Sequence, residues 1–199
     1  MKEELQYFHI GTAYGGSQDW FSGLWMHFGG CAAATACDLS IYLALYKGKI
    51  RLYPYDVRHL ERQEYVNFSK MMKPYLHPRI FGIDRLAIYQ EGFSDYLRAC
   101  GENKLCVLTW DGNKSLLSTK EIIKQQLAKG FPLPCLLLKH KDSAFKAYVW
   151  HWFLLTGYDE DKESFLVKAV TYGAYQWLDL AGLWNTGYKK KGGLILLQE

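Results

Sequence analysis

The sequence predicts an α+β fold: an N-terminal helical part built on a central helix that opens at Cys31, followed by a C-terminal antiparallel β-sheet. Two observations carry this reading. Apolar residues recur at helical spacing through much of the first two thirds of the chain, and from residue 131 they gather into short runs bounded by polar turns. Helices first and strands after is an α+β order, not the alternation of a parallel sheet. With 199 residues, 49% of them apolar and 22% charged, the chain can bury one real core. Residues 1–199 therefore read as a single domain, with a helical lobe over 1–130 and a sheet lobe over 131–199.

Residues 5–24 carry Gly11, Gly15, Gly16 and Gly23 among aromatic side chains and read as irregular structure leading to the central helix. That helix spans 31–48. Ala32, Ala36, Leu39, Leu43 and Tyr46 fall at helical spacing, and Gly29-Gly30 let the chain turn sharply and let another group come close. Residues 49–56 look like a loop or short extended piece. Residues 57–73 form the next helix candidate, with Val57, Leu60, Tyr65, Phe68 and Met72 roughly on one face; Pro74 and Pro78 break it. Residues 84–99 follow, with Leu86, Tyr89, Phe93, Tyr96 and Leu97 in period. The clearest helix is 118–129, where Ser118 and Glu121 form a capping box and Gly130 and Pro132 stop the helix. Strands are predicted over 134–138, 148–156, 165–172, 175–180 and 194–197, with 157–161 as a polar turn.

Composition excludes several functions. The net charge of +4 is weak, and the only basic run, 189–191, reads as a solvated hairpin turn, so no nucleic-acid partner is expected. Five cysteines are an odd number without the paired spacing of a zinc site; no metal and no cofactor are expected, and at least one thiol is free of any internal disulfide. The charged start Met1-Lys2-Glu3-Glu4-Leu5 has no apolar run behind it. No signal peptide, spanning segment or membrane partner is expected, and a reducing, cytoplasmic location fits the cysteines.

Two residues carry chemistry. A thiol at Cys31, on a helix start, feels the positive end of the helix dipole, which favours the nucleophilic thiolate. The alternative is a small buried cysteine. His151 lies in an otherwise apolar strand and shares a face with Val149, Phe153 and Leu155 by alternation. The alternative there is a core histidine bonded to a backbone carbonyl. Together, thiol and imidazole are the minimal nucleophile and base of a thiol hydrolase, provided they meet within hydrogen-bond reach.

A cysteine opening the central helix, then His151-Trp-Phe-Leu-Leu-Thr-Gly157-Tyr158-Asp159 on a strand, resembles the papain-like cysteine peptidase superfamily. The segment resembles the histidine strand of its bacterial branches, which include the double-glycine leader peptidases. The helix and strand of 120–138, joined by Gly130-Phe-Pro132-Leu-Pro, resemble the same branches. Phe165-Leu-Val-Lys168-Ala-Val-Thr171-Tyr172-Gly173 is similar to the papain strand bearing the third catalytic residue. The resemblance covers 18–50 and 118–197 in order and implies a papain-like fold. It also implies a cysteine peptidase or related thiol-dependent amide or acyl hydrolase acting on a peptide or small amide. Cys31 would be the nucleophile and His151 the general base and acid.

Two departures stand out. The asparagine position of the family falls on Val170, or on Ala169 or Lys168 in the leader-peptidase register, none of which offers an amide or carboxylate. Asn185 or a backbone carbonyl is then expected to orient the imidazole. The oxyanion glutamine position falls on Trp25; the nearest upstream glutamine is Gln18, thirteen residues before Cys31, in a loop able to swing an amide into the site. Val170 favours the rival reading, a catalytically inactive papain-like binding module. An amide-transferring effector would use the same dyad. His27 is a weaker second base, and Asp38, two turns into the helix, reads as the buried partner of some donor. His9, His59, His77 and His140 have no supporting context.

Overall fold

The computed structural model describes residues 1–21, 26, 29–77 and 82–199; Gly23, Trp25, His27 and Pro78, singled out above, lie outside the described residues. The central helix α1, Cys31–Tyr46, is buried along nearly its whole length. Its sequence explains this. With Ala32, Ala33, Ala36, Cys37, Leu39, Ile41 and Leu43 it has almost no polar face, so it must be covered on all sides. It ends where Gly48 takes a positive φ of 66°. At its start Gly30 is obligatory, because a Cβ there would sit 2.2 Å from the Met26 carbonyl oxygen.

Helices α2, Arg62–Met72, and α3, Leu86–Ala99, belong to the same helical layer, and α2 packs directly on α1. The main sheet lies across the other side. Strand β1 is Lys2–Glu4, and a small hairpin pairs β2, His9–Ile10, with β3, Ala13–Tyr14. The sheet proper comprises β4, Cys106–Asp111; β5, Leu133–Leu137; β6, His151–Glu160; β7, Phe165–Thr171; β8, Ala174–Asp179; and β9, Gly193–Gln198. Helix α4, Leu116–Ala128, and the short α5, Leu180–Trp184, complete the fold. The strand order is β4-β9-β5-β6-β7-β8, antiparallel throughout, with β1 added beside the far end of β6. An α+β arrangement is thus present.

Alternation along the strands splits the core in two. Trp152, Leu154, Val170, Ile195 and Leu197 face α1 and the helical layer. Phe153, Leu155, Val167 and Leu196 face α4 and α5 with Ile123, Leu127 and Leu183. Trp152 stacks on Tyr89 of α3 at 4.4 Å between ring centroids and donates its indole N–H to the Ile83 carbonyl at 2.7 Å. A buried tryptophan that satisfies its polar atom this way keeps its full hydrophobic benefit. The start of β6 is thereby fixed against the helical layer.

The structure departs from the sequence expectations in several places, among them α2, which begins at Arg62 rather than at 57, and the β2–β3 hairpin inside the stretch read as irregular. The α4 cap is Ser115, whose hydroxyl accepts the Ser118 N–H at 3.1 Å, so the helix begins a turn earlier than a Ser118 cap implies. Residues 157–160 continue β6 rather than turning. Gly157 pairs with Glu4 of β1, and its missing side chain lets the Glu3 carbonyl approach, since a Cβ would lie 2.9 Å from that oxygen. Strand β4 was not expected, and residues 143–148, the last of which was read as strand, form a 3₁₀ turn. The sheet therefore draws β1 and β4 from before residue 131, and the two lobes are not successive stretches of chain.

Candidate functional site

Cys31 is the first residue of α1 and is 6% exposed. The backbone N–H groups of Trp152, Ala32 and Cys31 itself point at its sulfur and favour the thiolate, but burial outweighs them and pushes the thiol above its ordinary pKa. The helix-start argument for a resting thiolate therefore fails here. The backbone amides stabilise the charge by less than desolvation costs.

His151 opens β6 and is 4% exposed. Its Nε2 lies 2.7 Å from the Thr171 hydroxyl, and its Nδ1 lies 3.5 Å from the Tyr172 hydroxyl. The Tyr172 ring covers the imidazole face to face, with centroids 4.7 Å apart and planes 3° from parallel. Burial pushes the His151 pKa down to about 4, so the resting ring is neutral. Cys31 and His151 line one cavity of about 20 Å³ together with Gln18, Asp38, Thr171 and Tyr172, room for one water molecule. The ring nitrogens are bonded to Thr171 and Tyr172 rather than to the sulfur.

The turn that brings Thr171 and Tyr172 to the imidazole has a local cause. Thr171 pairs with Ala174, leaving Tyr172-Gly173 as a two-residue hairpin loop. Both take positive φ, 52° at Tyr172 and 70° at Gly173, as a type I′ turn demands. A tyrosine in that position is strained, at a cost of about 1 kcal/mol. Trp150, on the other side of His151, also has a positive φ of 54°. Of the two strained aromatic residues, Trp150 precedes His151 in the chain and Tyr172 lies against its ring, and both are exposed.

Gln18 opens a 3₁₀ turn, Gln18–Trp20, capped by Ser17, and is buried at the cavity wall. Its loop is held by Asp38. That carboxylate accepts hydrogen bonds from Tyr7 Oη and Tyr65 Oη, each at 2.8 Å, and from the Gly16 N–H at 3.1 and 3.2 Å. Burial raises the Asp38 pKa to about 6 in spite of these donors. The reading of Asp38 as a buried partner of donors describes this arrangement.

Asn185 is the correction among the orienting candidates. It caps the C-terminal end of α5 and is exposed, and the oxygen at Nε2 belongs to Thr171. Val170 faces α1 with its register partner Leu154, so the neighbouring Thr171 is the residue turned toward the imidazole. The signal for Thr171 was present in the sequence as a hydroxyl beside the expected position. His9 and His59 are exposed, the latter against Asp56, and His140 bonds the Gly182 carbonyl at 3.0 Å.

Among the described residues, no group of three His, Cys, Asp or Glu could hold a metal ion, and no helix is long and apolar enough to cross a membrane. No family model, curated protein or solved structure matches the chain.

Proposed function

We propose that this chain is a papain-like thiol hydrolase that cleaves a peptide or small amide, with Cys31 as nucleophile and His151 as general base and acid. The observation that carries the reading is the meeting of Cys31, His151, Gln18 and Thr171 at one cavity from four separate stretches of chain. In the productive tautomer, Nε2–H donates to Thr171 Oγ1 and Nδ1, which gives up its long 3.5 Å contact with the Tyr172 hydroxyl, is the base. Nδ1 takes the Cys31 proton as the sulfur attacks the carbonyl carbon. The oxyanion is received by the Cys31 backbone N–H and the Gln18 side-chain amide. The imidazolium then protonates the leaving amine, and a water activated by the same nitrogen releases the acyl group from sulfur.

The cavity at rest has room for about one water, so substrate has to widen it. Both reacting groups are neutral until that happens. A threonine orients the ring but brings no charge to steady the imidazolium, which predicts slower turnover than a carboxylate would allow. That neutral hydroxyl, with the small cavity, is what favours the second reading, an inactive binding module.

The two readings separate on p-nitrophenyl acetate. The hydrolase reading expects a stoichiometric burst with an acetyl group on Cys31, seen by mass spectrometry. Cys31→Ala abolishes the burst, and His151→Ala slows it at least about a hundredfold. A burst that survives Cys31→Ala, or no burst in the unsubstituted chain, leaves the binding module.

A further inference from the structure

Asp38 is buried 6% exposed in the middle of α1, and no step above uses it. Its contacts tie together parts of the site that are otherwise separate. The Gly16 peptide is bonded at both ends. Its N–H donates to the Asp38 carboxylate, and its carbonyl accepts the Gly173 N–H at 3.0 Å. Gly173 in turn accepts from the Tyr14 N–H at 2.8 Å. Gly173 is the second residue of the strained turn whose first residue, Tyr172, covers His151. Gln18 lies two residues beyond Gly16. One peptide group thus links the helix that begins at Cys31 to the turn that seats the imidazole and to the loop that carries the oxyanion amide.

The fit leaves no freedom. A side chain on Gly15 would come 2.5 Å from Asp38 Oδ2, and one on Gly16 would come 1.9 Å from the Tyr65 ring. Both glycines are needed for the loop to reach the carboxylate. Tyr7 from the segment before β2 and Tyr65 from α2 fill the remaining acceptor sites. Asp38 is therefore built to receive the Gly16 N–H in one geometry. Bonds to a charged acceptor are the strong ones.

We propose that Asp38 is a positioning residue: through the Gly16 peptide it fixes the Tyr172-Gly173 turn and the Gln18 loop relative to Cys31, and so sets the place of the His151 imidazole. The catalytic value of this coupling rests on the thiol-hydrolase reading; the coupling itself does not.

The test is Asp38→Asn, which keeps the shape but removes the charge and opposes an amide donor to the Gly16 N–H. Two readouts are independent of turnover: the NMR titration of His151, and the rate at which iodoacetamide labels Cys31 in a Cys100→Ser, Cys106→Ser background at pH 8. Leu183→Ala, in the opposite core, serves as a destabilised control. Loosening the clamp opens the cavity. The His151 pKa is then expected to rise toward its ordinary value, and Cys31 labelling to speed up roughly tenfold, the population change from losing one hydrogen bond to a charged group. The control moves neither. Tyr65→Phe, which removes a single donor, shifts both in the same direction by less, and it decides the matter if Asp38→Asn does not fold. If these variants lower the melting temperature yet leave the His151 titration and Cys31 labelling where the control leaves them, Asp38 is only structural and the proposal is overturned. If the coupling appears but no burst on Cys31 is ever seen, the hydrolase reading fails and the clamp stands.

Discussion

Asp38 and His151 border the same cavity, and both are ionisable groups withdrawn from water, yet they are held in opposite ways. Asp38 sits in the middle of a helix with two tyrosine hydroxyls and a backbone N–H on its carboxylate. His151 sits at the first residue of a strand, with one hydroxyl at 2.7 Å, another at 3.5 Å, and a ring laid over it by a strained turn. The Asp38 corner has every acceptor site occupied by rigid elements. The His151 corner has one good bond and a cover. Buried polar networks that are fully satisfied hold a single geometry, whereas partly satisfied ones change partners readily. The difference places rigidity where the loop is anchored and freedom at the imidazole, where the proposed mechanism moves a proton.

Burial drives the two groups apart in titration, and this gives the largest expected effect. Asp38 is raised from 3.8 to about 6, so its contribution to stability is full below about pH 4 and is lost as pH rises through 6. His151 is lowered from 6.5 to about 4, so its contribution is full above pH 6.5 and is lost as pH falls through 4. Each amounts to about 3 kcal/mol over the window, with opposite sign. In the unsubstituted chain the two slopes largely cancel. Asp38→Asn should leave stability rising with pH between about 4 and 6.5, and His151→Gln should leave it falling. Urea unfolding at several pH values reads both. Parallel profiles for the two variants would mean that the groups do not sense the same desolvation.

Thr171 comes next. Replacing it by valine removes the oxygen from Nε2 at little change of volume and leaves a buried ring nitrogen without its partner, a cost of about 1–3 kcal/mol. The expected outcome is a loss of stability of that size together with a slower acylation burst. Thr171→Asp is the sharper variant. A carboxylate beside the ring should raise the His151 pKa by about 1–3 units and speed the burst. The same change at Val170 should only damage the core, since that side chain faces α1. A benefit at 170 and none at 171 would reverse the assignment.

The sequence made the centre of this molecule legible and its edges less so. Cys31 and His151 stood out because each breaks a pattern, a thiol after two glycines and a base in an apolar strand. The central helix is a run of small apolar residues too long for a strand. Strand β4 escaped because only Val107 is buried along it and its exposure does not alternate cleanly. The turn expected at 157–161 has the composition of a loop, and pairing with β1, more than 150 residues earlier, and with β7 makes residues 157–160 strand. Choosing between Val170 and Thr171 is a one-residue register question, and such a step moves a side chain to the opposite face. The helix start at Cys31 is visible in the sequence, whereas the burial that raises its thiol is not.

The smallest effect is the most diagnostic of the loosely held corner. Tyr172 occupies the first position of a type I′ turn, where asparagine or glycine fits without strain. Its ring is 43% exposed, so it buries only part of its surface. Tyr172→Asn relieves the strain, about 1 kcal/mol for one residue in the left-handed region, and gives up a stack of about 0.5–1.5 kcal/mol. Stability should therefore change by less than about 1 kcal/mol, in either direction. The imidazole, however, loses its cover and the hydroxyl near Nδ1. Water then reaches the ring, the His151 pKa climbs from about 4 toward 6.5, and burst kinetics acquire a new dependence on pH in that range. A turn residue kept for the fold alone would behave the other way, with a clear loss of stability and an unmoved histidine. An unchanged melting temperature with a shifted His151 titration would mark Tyr172 as strained for the sake of the site.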